Sequence, residues 1–119
     1  MTNPAQIKQI KVDLKRTIRI LEKGWTQGSL AKDKSGACVS VNSKSAARFC
    51  LIGALGISDK ELIKLRYLGS NITDPKYDAY NYLTSRLGNL TIFNDEAKSK
   101  KVVMAALHSA VNDLKVKPW

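Results

Sequence analysis

Cys50, His108 and the Asn94-Asp95 pair are the residues whose types could do covalent chemistry. A thiolate beside an imidazole, oriented by an amide or carboxylate, is the arrangement of a cysteine nucleophile. The surroundings argue against it. Cys50 sits in Ala47-Arg48-Phe49-Cys50-Leu51-Ile52-Gly53-Ala54-Leu55, an apolar run in which a buried thiol is packing. His108 is the single histidine, and its place beside Leu107, Ala110 and Val111 reads as a packed or capping group. Two cysteines and one histidine lack the count and paired spacing of a zinc site, so no metal is expected. Asp33, Asp59, Asp74 and Asp95 fall in turns or at helix starts, where capping explains them. Asn94-Asp95 is read first as a cap and loop anchor, and second as a ligand contact. No phosphate-binding glycine loop is present; Gly53-Ala54-Leu55-Gly56 reads as a helix and its stop. The expectation is no catalysis and no cofactor.

Charge is the stronger signal. Twenty Lys and Arg against ten Asp and Glu give the 119 residues a formal net charge of +10. Such an excess draws polyanions at low salt. It is also organised. Between a predicted cap at Asn3-Pro4 and a stop at Gly24, Ile7, Ile10, Leu14, Ile18 and Leu21 fall within an arc of roughly 80° on a helix. Lys8, Lys11, Lys15, Arg19 and Lys23 gather on another face, roughly 130° away, with Glu22 inside their arc. Tyr77, Tyr80 and Tyr82, near Lys76 and Arg86, could stack bases, although two of them also fit a core stripe.

These residues need a scaffold, and the pattern predicts a mainly α fold. The expected architecture is a compact bundle of about five helices around a buried central Cys-x-x-Gly-Ala helix, with at most a small two-stranded β element. The first helix is placed at 4–23. Residues 29–32 read as a turn or helical piece, and 37–41 alternate as a short strand. The central helix is placed at about 45–55, with Gly53 permitting close packing. A Ser58–Glu61 capping box opens a helix that turns Leu62, Leu65 and Leu68 inward and stops at Gly69. Asp74-Pro75 opens the next, with Tyr77, Tyr80, Leu83 and Leu87 in phase before Gly88. Thr91-Ile92-Phe93 reads as a short extended piece. Asn94 or Asp95 then caps a last helix presenting Val103, Ala106, Leu107, Ala110 and Leu114 on one face. The chain reads as one domain, 1–119: basic helix 4–23, core 24–114, and a tail 115–119 whose Trp119 could anchor a partner. No signal peptide or membrane span is apparent, and Cys38 and Cys50 do not form a disulfide framework, so a cytoplasmic setting is expected.

Three motifs in order carry a family resemblance: Gly24-Trp25-Thr26-x-Gly28-x-x-Ala31-x-Asp33-x-x-Gly36, Ala47-Arg48-Phe49-Cys50-x-x-Gly53-Ala54-Leu55 and Phe93-Asn94-Asp95. Together they resemble a domain of unknown function found in small bacterial, notably actinobacterial, and phage proteins. The likeness spans about residues 21–114. Phe93 stands where the family more often has Trp, which keeps an aromatic anchor. The resemblance implies no activity, but it implies that Trp25, Arg48, Cys50, Asn94 and Asp95 cluster in space.

The functional expectation is a small, basic, non-enzymatic binding protein. Its partner would be anionic, nucleic acid or a nucleotide-like ligand, with Lys8, Lys11, Lys15, Arg19 and Lys23 as contacts. Trp25, Arg48, Asn94 and Asp95 would form a pocket near the Cys50 helix. The alternative, motivated by the phage members of the resembled family, is an inhibitor of an acidic host or defence protein. A cysteine-based hydrolase or transferase comes third.

Overall fold

Asn3 starts the first helix with a complete capping box. Its side chain accepts the Gln6 N–H at 2.9 Å while the Gln6 side chain accepts the Asn3 N–H at 2.9 Å. Pro4 occupies the first turn, where its missing N–H leaves no bond unmade. The helix, α1 (Pro4–Lys23), then runs for 20 residues and ends at extended Gly24. The structure, a computed structural model, describes residues 3–68 and 74–114, with Leu68 described in its backbone alone.

After α1 come β1 (Ala31–Lys32), β2 (Arg48–Phe49), α2 (Leu51–Ala54) and α3 (Asp59–Leu68). A 3-10 turn (Pro75–Tyr77) leads into α4 (Asp78–Leu87), followed by α5 (Leu90–Glu96) and α6 (Lys100–Asp113). The fold is mostly helical, with six α-helices among the described residues and a two-stranded antiparallel sheet that pairs Ala31 with Phe49 and Lys32 with Arg48. α1 is the hub: α2, α4 and α6 pack along it, and β2 lies against it. Its buried face is Ile10, Leu14, Thr17, Ile18 and Leu21. Leu51, Ile52, Leu83, Leu90, Val103 and Leu107 close on that face from four other helices. Fully burying side chains of this size stabilises by about 1.5–3 kcal/mol each.

Several local expectations are corrected. The central helix spans 51–54 rather than 45–55, although all four of its residues are buried. Residues 47–50 are drawn into strand pairing instead: Ala47 N–H donates to Lys32 O, Cys50 N–H to Leu30 O, and Phe49 exchanges bonds with Gly24 O and Thr26 N–H. An apolar run fits a buried strand as well as a buried helix, and here the distant 24–32 segment decides. That segment takes the strand position, so 31–32 is β1 rather than a helical piece. Of 37–41, Cys38 alone bridges to Lys32. Thr91-Ile92-Phe93 is helical, within an α5 capped by Asn89, whose side chain accepts the Ile92 N–H at 3.0 Å. Asn94 and Asp95 therefore lie inside α5, and Ser99 is the N-cap residue of α6. The expectations for Leu68 as a core side chain, for Gly69 and for the 115–119 tail with Trp119 lie outside the described residues.

The close approaches explain two glycines. A Cβ on Gly53 would run into the Leu30 carbonyl oxygen, and one on Gly24 into that of Ala47. The 24–32 segment can cross α2 and β2 only where those side chains are missing.

Candidate functional site

The basic stripe forms on the face of α1 turned from the core. Lys8, Lys15, Arg19 and Lys23 are exposed and Lys11 is half-buried. None of the five pairs with a carboxylate among the described residues; the one ion pair on the helix joins Arg16 to Asp13 at 3.4 Å. From Lys8 to Lys23 the stripe covers roughly 22 Å. Exposed Glu22 interrupts it, but Lys100 at the start of α6 donates to the Glu22 carbonyl at 2.8 Å and adds a cation beside the end of the helix. A cation at helix-terminal carbonyls also suits the negative end of the helix dipole.

A second cluster forms around Asn94, which is 1% exposed. Its Oδ1 accepts the Trp25 indole N–H at 2.8 Å and the Leu51 N–H at 3.0 Å. Its Nδ2 donates to Thr26 O and to Asp95 Oδ1, each at 3.0 Å. Asp95 Oδ1 also accepts the Gly28 N–H at 3.1 Å. Gln27 donates to the carbonyls of Asn94, Asp95 and Ala97. One amide side chain thus ties α5 to the 24–28 loop and to the first residue of α2. Trp25, Asn94 and Asp95 are joined directly, and Cys50 borders Asp95 in a cleft of about 170 Å3 with Asp59, Leu62 and Thr91. The Arg48 backbone packs against Gly24, while its side chain is exposed and forms no hydrogen bond with this cluster.

Two of the three tyrosines considered for stacking are occupied. The Tyr77 hydroxyl donates to Glu61 Oε2 at 2.6 Å and the Tyr82 hydroxyl to Ala110 O at 2.7 Å. Lys76 also reaches Glu61 at 2.6 Å. These two contacts hold the Glu61 carboxyl down at about 2, well below the usual carboxylate range. Tyr80 instead lines a wider cleft, about 660 Å3, between α3 and α4, with Leu65, Arg66, Thr84 and Asn89.

Residues 7–113 match the profile described as Family of unknown function (DUF6197). The chain belongs to that family. No curated protein and no solved structure matches it.

In this DUF6197 chain the thiol candidate is buried at the start of a short helix. Cys50 is the N-cap of α2; its Sγ accepts the Gly53 N–H at 3.4 Å, and burial pushes the thiol's pKa up. His108 is exposed on α6, and no hydrogen bond joins it to Cys50. Among the described residues, no group of three or more His, Cys, Asp or Glu could hold a metal, and no helix is long and apolar enough to cross a membrane. Gln27, Arg66 and Thr84 are the site residues that sequence reasoning missed. The partners of Gln27 and Arg66 lie far along the chain, and no local pattern marks any of the three.

Proposed function

We propose that this protein is a non-enzymatic binding protein of the cytoplasm whose α1 engages a polyanion, nucleic acid first. The observation that supports the reading is the stripe itself: five basic side chains on one helix, four of them exposed, none paired with a carboxylate among the described residues. Cations with no carboxylate to release bind phosphates by displacing counterions, which gives affinity without base specificity. A length of roughly 22 Å lets the stripe run beside several phosphates of one strand. The core face of the same helix fixes it in place, so the charges are held on a rigid support. The test is binding to a fluorescent duplex over a range of salt, with wild type compared to a Lys8→Glu, Lys15→Glu, Arg19→Glu variant.

A second reading, inhibition of an acidic host or defence protein as a phage accessory factor, has one observation in its favour. Ile63 and Tyr67 are 68% and 89% exposed one turn apart on α3, and Lys60 and Lys64 are exposed on the same helix. An apolar pair with a cationic margin suits an acidic protein surface. Binding that is stoichiometric and weakly sensitive to salt would select this reading over the first.

A further inference from the structure

The largest of the described clefts lies between α3 and α4, away from the basic stripe. At about 660 Å3 it falls within the range of small-molecule sites. Leu65 and the ring of Tyr80 give it apolar walls, and Arg66 is the only charged residue among the described residues that line it.

Like the cations of the α1 stripe, Arg66 has no carboxylate partner among the described residues. Arg16, Lys76 and Arg86 each pair with a carboxylate. The Arg66 guanidinium instead donates to the neutral Thr91 hydroxyl at 2.8 Å, so its charge is uncompensated at the edge of the cleft. A guanidinium in that state suits a carboxylate or phosphate, which it can grip with two parallel bonds. Thr84 lines the same cleft, and its Oγ1 is the one buried side-chain polar atom without a hydrogen-bond partner among the described residues.

Two other clefts fit an anion less well. The one beside Cys50 is about 170 Å3 and is lined by Asp59 and Asp95. The groove of about 430 Å3 beside Pro75 has Arg16 and Lys76, which Asp13 and Glu61 already hold.

We infer that the α3–α4 cleft binds a small organic anion, a planar ring bearing a carboxylate or phosphate, with Arg66 taking the anion and Tyr80 the ring. The site is independent of the α1 reading.

The experiment is an amide-resolved NMR titration of the full chain with adenosine monophosphate and with benzoate, using adenosine, benzamide and inorganic phosphate as matched controls. At least one of the two ring-bearing anions should shift the Thr84 and Gly88 amides. Its controls should bind at least about 10-fold more weakly, as should the Arg66→Gln variant toward it. Which of the two binds distinguishes a phosphate source from a carboxylate source. The Lys8→Glu, Lys15→Glu, Arg19→Glu variant should bind these small anions as wild type does, whatever happens to its polyanion binding. Absence of shifts at the cleft up to about 10 mM of either anion, shifts confined to 8–23, or unchanged affinity in Arg66→Gln would overturn the inference.

Discussion

The Trp25 indole donates to the Asn94 side-chain oxygen at 2.8 Å across 69 positions of sequence, and the same oxygen accepts the N–H that opens α2. Four hydrogen bonds meet at that one buried amide, so loop, α2 and α5 are held in a single arrangement. Asn94→Ala leaves two N–H donors and the Thr26 carbonyl without their partner. It should cost about 3 kcal/mol, since each buried group left unsatisfied costs about 1–3 kcal/mol. Trp25→Phe, which removes one donor and part of a ring, should cost less. Chemical denaturation of the two variants checks the order; equal losses would mean that the ring rather than the amide is the anchor.

Gly53→Ala should destabilise, although alanine is ordinarily the better helix former by about 1 kcal/mol. The added Cβ meets the Leu30 carbonyl, which is backbone and held by its bond from Cys50. Overpacking of this kind costs about 1–3 kcal/mol. A thermal midpoint equal to or above wild type would show that the 24–32 segment can move off α2.

Sequence made some of this legible and not the rest. α1 could be read from Asn3-Pro4, the apolar period and Gly24, because all its signals are local. The Ser58–Glu61 box was legible for the same reason, with Ser58 Oγ accepting the Glu61 N–H at 3.3 Å. β2 was not legible. Arg48-Phe49 lies in an apolar run whose strand partners are Lys32 and Ala31, and pairing at that distance overrides the local helical pattern. Thr91-Ile92-Phe93 has strand-prone types, yet the Asn89 cap and the burial of Leu90 and Asn94 make it helical. The grouping of Trp25 with Asn94 and Asp95 came from the order of the motifs; that Asn94 is a saturated hub came from the geometry alone.

Glu61 predicts an acid-side loss of stability. Its carboxyl sits at about 2 when folded against the ordinary 4.5, so the unfolded chain binds the proton first as pH falls. The contribution is whole above pH 4.5, declines below it and is gone near pH 2. Because Lys76 is 61% exposed, the effect should be about 1 kcal/mol rather than the full value of the shift. Glu61→Gln should lower stability at pH 7 and flatten this part of the profile; parallel profiles would sink the assignment.

The two thiols should react very differently. Cys38 is exposed, whereas burial holds the Cys50 thiol protonated and out of reach. At pH 8 a disulfide reagent should modify one thiol quickly and the second only on unfolding. Fast modification of Cys50 in the folded protein would favour the nucleophile reading.

The central claim is tested most directly by the salt dependence of duplex binding, measured by fluorescence anisotropy. If all five stripe residues contact phosphates, log Kd should rise against log salt with a slope of about 4 to 5. The Lys8→Glu, Lys15→Glu, Arg19→Glu variant should keep its thermal midpoint and lose about 3 from that slope, with affinity down by at least about 10-fold. A variant that binds as tightly as wild type with the same slope would contradict the assignment of α1 as the polyanion surface.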